Sequence, residues 1–322
     1  MTAPEAVRTG TVRSGAADLY YELRGTGPAL VFIPGASGDG GVFAAAADHL
    51  TAQRTIVTYD RRGRSRSPRP HGWNHTTADE QADDAAALIT ALATGPANVF
   101  GTSSGATIGL NLALRHPGLV RRAVLHEPPK IGVLPERDDL LAQLRARMDA
   151  ACARGGPREA MADFSGWLTG RRRESGADLD ERVLGSADVW LSHELGVVDR
   201  YDPPDALLPA RPGSIVVAVD SEGGTDLHQD LLDHYSRTLH TLADRIGAEF
   251  RQLPGAHVPY TTHTEEFTVS LAALLESWHR SRELRTPRGL PGARDPRAVA
   301  VLVIAAARRV YARAQNRRTC IP

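Results

Sequence analysis

The sequence predicts an α/β protein: a mostly parallel sheet with helices on both faces, interrupted once by a helical insertion. Three observations carry this. Short apolar runs alternate with helix-like stretches from Leu19 to His126, and again from Ser214 to Arg280. The runs lack apolar–polar alternation, so each is expected to be buried on both sides, as strands of a helix-covered parallel sheet are. Between Lys130 and Pro209 the alternation stops and only helical patterns remain.

Taken in order, Leu19–Leu23 reads as a strand and Ala29–Ile33 as a continuous apolar strand ending in Pro34-Gly35. Val42–Ala52 is helix-like. Thr55–Tyr59 is a strand followed by the Arg/Ser/Gly loop Asp60–Pro68, and Thr76–Leu92 is an alanine-rich helix. Asn98–Gly101 is a strand, Ala106–Arg115 a helix and Val120–His126 a strand. Within the insertion, Leu140–Cys152 and Arg158–Leu168 are expected helices, with Glu181–Leu195 a weaker pattern. Ser214–Val219 (strand), Asp226–Ile246 (helix), Glu249–Leu253 (strand) and Thr264–Arg280 (helix) complete the alternation. The expected division is a discontinuous core of residues 1–127 and 211–280, a helical cap at 128–210, and a basic tail at 281–322.

The chain has 322 residues, with 38 basic and 38 acidic side chains. That balance argues against a nucleic-acid partner, and 42% apolar content argues against disorder driven by charge. The zero is a cancellation. Ser281–Pro322 carries ten arginines against Glu283 and Asp295, a net of +8, leaving the other 280 residues at −8. The tail is expected to be a poorly ordered, passive extension, with a basic anchor for a membrane surface or partner as the alternative. Its apolar run, Ala298–Ala307, is too short to span a bilayer. Two cysteines, Cys152 and Cys320, make no disulfide framework, and Met1–Gly10 has no apolar stretch of the kind a secretory leader needs. A cytoplasmic protein is expected, and a homodimer is left open.

The strongest chemical signal is Gly101-Thr102-Ser103-Ser104-Gly105, between a strand and a helix. A serine on so tight a turn adopts a strained backbone, so its neighbours two positions away must be small. The turn lifts Oγ above the sheet and puts the next backbone N–H at a helix start. An activated serine needs a base. His257, in Leu253-Pro-Gly-Ala-His-Val-Pro-Tyr260, lies after the last strand, at the same sheet edge as Ser103. His263 is expected at a helix start or the surface, His126 packed in the core or hydrogen-bonded, and His49, His71, His75, His116 and the histidines of the helix after Asp226 at the surface. The base needs an orienting acid, and there are two candidates at strand ends. Asp220 is one. Glu127, directly before Pro128-Pro129 and so on a rigid backbone, is preferred. The small loop Pro34–Gly38 suits an oxyanion site built from the Ala36 and Ser104 N–H groups.

Other constellations fail. No Cys/His cluster has metal-ligand spacing, and no glycine-rich phosphate loop is complete, so no metal or cofactor is expected. The run Arg61-Arg62-Gly63-Arg64-Ser65-Arg66-Ser67 looks like a phosphate patch, but its place after a strand predicts a solvated loop whose turn Asp60 holds.

From Leu19 to Arg280 these features resemble the α/β-hydrolase superfamily. Within it, Tyr20-Tyr21-Glu22 with Gly25-Thr-Gly-Pro28, Gly101–Ala106, His126-Glu127 followed by Pro129, and Leu253–Tyr260 are similar to the fungal zearalenone lactone hydrolases. The resemblance implies Ser103 as nucleophile, His257 as base, a glutamate (Glu127) as acid, and Ala36 and Ser104 as oxyanion donors. It also implies substrate contacts at Trp190, Pro129 and Gly35, the last standing where that family has an acidic residue. The expected activity is cofactor-free hydrolysis of a small carboxylic ester or lactone. Thioester cleavage, carbon–carbon bond hydrolysis and peroxide-dependent chemistry on the same fold are the alternatives, and a non-catalytic binding protein is a further one.

Overall fold

The computed structural model describes residues 6–93, 95–129, 134–169, 177–198, 200–203, 214–221 and 229–283. Eight strands form one sheet in the order β1-β2-β4-β3-β5-β6-β7-β8. They are β1 (Arg8–Ser14), β2 (Ala17–Arg24), β3 (Ala29–Ile33), β4 (Thr55–Tyr59), β5 (Ala97–Thr102), β6 (Val120–His126), β7 (Ile215–Asp220) and β8 (Glu249–Leu253). The β1–β2 and β2–β4 pairs are antiparallel, and every pair from β4 through β8 is parallel. The sequence missed β1, whose alternating, mostly polar residues bury only Val12 and Ser14. It is an edge strand, defined by pairing with β2 more than by its own apolar content.

Helices cover both faces, and the pleat of the strands decides which residue goes where. Leu30 and Phe32 of β3, with Phe100 of β5 and Val124 of β6, pack toward Ala46, Ala47, Phe267 and Leu271 of α1 (Ala44–Leu50) and α9 (Thr264–Glu283). Val31 and Ile33, with Val99 and Leu125, pack on the other face toward α2 (Ala78–Leu92), α3 (Ser104–Arg115) and α7 (Gln229–Ile246). Thr77 caps α2 by accepting from the Glu80 N–H, and Asp79 and Glu80 favour its positive end. Residues through Glu276 form one compact unit. Residues 284–322, with most of the expected tail, lie outside the described residues. No helix among the described residues is long and apolar enough to cross a membrane.

Between β6 and β7 the described residues are largely helical: α4 (Arg137–Thr169), α5 (Ala177–Gly185), the single turn α6 (Ala187–Val189), and a π-helical turn at Trp190–Glu194. The two helices expected at Leu140–Cys152 and Arg158–Leu168 are the two arms of α4. They meet at Gly155-Gly156, where Gly156 takes φ 76° and Pro157 starts the second arm. Met148, Met161, Val183, Trp190 and Leu191 form a separate small core there.

The arginine loop after β4 departs from expectation. Arg61, Arg62 and Arg64 are buried, not solvated. Each charge is matched by a carboxylate distant in sequence, which is what makes burial of a guanidinium tolerable. Arg61 and Arg64 share Glu194. Arg62 grips Asp84 through two hydrogen bonds and also reaches Glu80. Arg66 makes a two-pronged contact with Asp60, whose carboxylate also accepts the Gly40 and Arg66 N–H groups. Asp60 thus holds the turn as expected, but the loop is packed between the sheet and the insertion. Glu194→Gln would leave two buried cations with no anion between them. It should destabilise the protein by about 3–5 kcal/mol, read as a lower urea midpoint at unchanged slope; a loss under about 1 kcal/mol would contradict this description.

His126 ends β6 fully buried, stacked on Phe100 with Nδ1 3.3 Å from Thr102 Oγ1, as expected of a core histidine. Burial pushes its pKa down to about 4. In the unfolded chain a histidine protonates near 6.5, so between about pH 6.5 and 4 the unfolded state binds the extra proton. Its contribution to stability is therefore complete above pH 6.5 and is lost as pH falls, by roughly 3 kcal/mol over that window. His126→Gln should remove this share of the pH dependence in chemical unfolding; an unchanged slope between pH 6.5 and 4 would refute the assignment.

Candidate active site

The parallel strands β3, β5, β6, β7 and β8 end at one edge of the sheet, so the residues that follow them converge there. After β5 comes Ser103, at φ 52° and ψ −130°, immediately before α3. Its N–H donates to His126 O at 2.9 Å, which ties the turn to the neighbouring strand. The flanking glycines are sterically required. A Cβ on Gly105 would stand 2.3 Å from Ile33 O, and one on Gly101 would stand 2.4 Å from Gly105 O. The strain at Ser103 persists because the surrounding packing fixes it.

After β6 comes Glu127, also left-handed at φ 48°. Its N–H donates to Ala218 O at 2.9 Å. Its Oε1 accepts the Asp220 N–H at 3.1 Å, and its Oε2 lies 2.5 Å from His257 Nδ1. A carboxylate accepts only, so Nδ1 carries the proton and Nε2 is left as the basic nitrogen. Of the two acids the sequence offered, Glu127 touches the imidazole, and Asp220 meets the pair through its backbone N–H. Burial opposes ionisation of Glu127. The adjacent imidazoles of His126 and His257, the Nδ1 hydrogen bond and the Asp220 N–H outweigh it, and hold the carboxyl below the ordinary carboxylate range.

After β8, His257 sits in the loop leading to the short helix α8 (Pro259–Thr262) and is buried. His263 lies between α8 and α9, where the sequence put a helix start. His49, His71 and His75 are exposed as expected; His116 is half-buried against Asp83.

Ser103 and His257 line one cavity of about 270 Å³. Gly35, Ala36 and Ser37 from the loop after β3 form one side of it, and Val258 and Tyr260 another. The rest of the wall comes from the insertion: Met161, Ala162, Phe164, Ser165 and Gly166 of α4, and Asp180, Val183 and Leu184 of α5. The loop after β3 lies directly against the serine, since a Cβ on Gly35 would be 3.7 Å from Ser103 Oγ. Ser104 is buried at the start of α3.

Two expected substrate contacts are placed elsewhere. Trp190 belongs to the buried core of the insertion and does not line this cavity. Its ring packs at 4.7 Å on Phe164, which does. Pro129 is buried past Glu127 and is also absent from the wall. The lining residues of α4 and α5 belong to no motif. Their spacing, at Met161/Phe164/Ser165 and Asp180/Val183/Leu184, marks one face of each helix, but the same spacing serves a helix packed on a core. Among the described residues, no group of three or more His, Cys, Asp or Glu is arranged to hold a metal ion.

Known proteins agree with this architecture. Residues 28–182 match the family model described as alpha/beta hydrolase fold. The chain is 31% identical over 270 residues to the uncharacterized hydrolase YraK of Bacillus subtilis, covering 84% of this chain and 97% of that protein. It is 26% identical over 251 residues to the zearalenone hydrolase of Bionectria ochroleuca, covering 77% and 90%. A thermophilic esterase from Thermogutta terrifontis superposes with a TM-score of 0.64 at 22% identity, over 84% of this chain and 99% of its own, a likeness of fold alone. By sequence and by fold together, the chain belongs to the α/β-hydrolase family and is an enzyme of that family.

Proposed function

We propose that this enzyme hydrolyses carboxylic esters or lactones through a Ser103–His257–Glu127 triad. The observation that carries the reading is that Ser103, on a strained turn, shares a cavity with His257, whose far ring nitrogen is held by a buried carboxylate. Ser103 Oγ attacks the carbonyl carbon as its proton passes to His257 Nε2. The carbonyl π pair moves onto oxygen, and the Ala36 and Ser104 N–H groups stabilise that oxyanion. Collapse breaks the bond to the alkoxide, which takes the proton from the imidazolium and leaves an acyl-Ser103. Water, deprotonated by Nε2, then releases the acid and restores the serine. Glu127 keeps the tautomer correct and stabilises the imidazolium. In a lactone the alcohol stays tethered to the acyl group, and the product is a hydroxy acid.

Helices α4 and α5 act on this reading as a cap that shapes substrate choice. Met161, Phe164, Val183 and Leu184 suit an apolar substituent beside the reacting carbonyl. The zearalenone hydrolase relative favours a lactone within the ester class.

Ser103→Ala should lower kcat for an activated ester by several orders of magnitude, and should abolish labelling by a fluorophosphonate, which forms an Oγ–P bond with loss of fluoride. Near-normal turnover in that variant would sink the mechanism. Glu127→Gln should cost on the order of 10⁴ in kcat, because the amide favours the wrong tautomer. Asp220→Asn retains its N–H and should cost far less; the opposite ranking in a side-by-side assay would transfer the acid to Asp220.

A further inference from the structure

The buried Arg61 guanidinium has no role in the mechanism above, yet it reaches both halves of the proposed oxyanion site. Its NH1 donates to Gly35 O at 2.7 Å, to Pro34 O at 3.3 Å and to Ser104 Oγ at 3.3 Å. Its Nε donates to Gln81 Oε1 at 3.0 Å, and its NH2 pairs with Glu194. Gly35 O also accepts the Gly38 N–H at 3.0 Å, so this carbonyl is held from two sides. In a trans peptide the C=O and the following N–H point in opposite directions. Drawing Gly35 O toward Arg61 therefore aims the Ala36 N–H away from Arg61. Ala36 lines the cavity, on a loop that lies directly against Ser103. Arg64, paired to the same Glu194, donates to Ala36 O at 3.2 Å and holds the next peptide in turn.

We propose that Arg61 is the positioning residue of the oxyanion site. One guanidinium fixes the peptide that carries the first donor and the side chain of the residue that carries the second. Its rigidity comes from Glu194, so the insertion that walls the cavity also holds the donors in register. This rests on the proposed role of Ala36 and Ser104. It goes further by assigning their geometry to a side chain that never touches substrate. A single NH1 group shared among three acceptors explains why an arginine is buried here at all: a planar, permanently charged fork serves several fixed acceptors at once.

The test compares Arg61→Lys and Arg61→Gln with Arg62→Lys, a buried arginine of the same loop whose partners Asp84 and Glu80 lie on α2. Three quantities are measured in the full chain: kcat and KM for an activated ester, and the inhibition constant of an aryl trifluoromethyl ketone. Ser103 Oγ adds to that ketone to give a hemiketal oxyanion, with the proton passing to His257. Both Arg61 variants should lose about 10- to 100-fold in kcat at nearly constant KM, with the ketone weakened by a similar factor. Lysine should recover part of what glutamine loses. Arg62→Lys should lower stability and leave the ketone's affinity alone. Parent-like kcat and ketone affinity in Arg61→Gln overturn the proposal, as does a loss confined to melting temperature. Should both Arg61 variants fail to fold, Ser104→Ala takes their place, since it deletes the hydroxyl that Arg61 grips and keeps the N–H. A ketone weakened about 3- to 10-fold supports the proposal, and unchanged affinity overturns it. The two readings fail separately. An active Ser103→Ala removes the triad itself, whereas an inactive Ser103→Ala beside parent-like Arg61 variants removes only the positioning role.

Discussion

The parallel hydrogen-bond ladder running from β3 to β8 is the constraint on which the site depends. Parallel pairing forces every one of these strands to finish at the same edge, so residues from Gly35 to His257 arrive together without any local sequence relation. The close glycine contacts follow from the same ladder. Gly105 must fit against the carbonyls that end β3, because β3 and β5 are direct neighbours in register. Glu127 receives the Asp220 N–H because β6 and β7 are neighbours too. A slip of one residue in any of these pairs would turn the side chains at the edge to the wrong face.

A second layer of organisation is electrostatic. Arg61, Arg64 and Glu194 place three charges in a dry setting, where an unpaired ion is costly. The arrangement ties the loop after β4 to the loop after β3 on one side and to the π-helical turn of the insertion on the other. Arg182 of α5 adds a further link by pairing with Asp39, which is itself fully buried. The insertion is thus joined to the sheet by ionic contacts as well as by Ala36 packing on its apolar cluster.

The sequence revealed much of this because the relevant signals are local. Gly-x-Ser-x-Gly between a strand and a helix requires only adjacent residues to be read, and the apolar runs of β3 through β7 stand out from their flanks. Glu127 was legible as a carboxylate at a strand end, but choosing it over Asp220 from residues alone rested on the rigid Pro-Pro that follows. The structure adds what that pattern omits: the Glu127 carboxylate lies against the imidazole, and the Asp220 backbone N–H donates to Glu127. The place of the arginine loop after a strand suggests solvent, but Glu194, which pairs with both Arg61 and Arg64, lies at least 130 residues further along the chain, where no local pattern reveals it. Trp190 is implied as a wall residue by the resemblance alone; here it sits in the small core of the insertion, behind Phe164, which does line the cavity.

On the proposed mechanism the acyl group passes through Ser103. Rapid-quench peptide mapping with an activated ester that deacylates slowly follows that step. The prediction is a transient mass increment equal to the acyl group, on the peptide containing Ser103, absent in Ser103→Ala and decaying at the rate of acid release. An increment on another residue, or turnover with no acylated peptide under conditions where deacylation limits the rate, would contradict it.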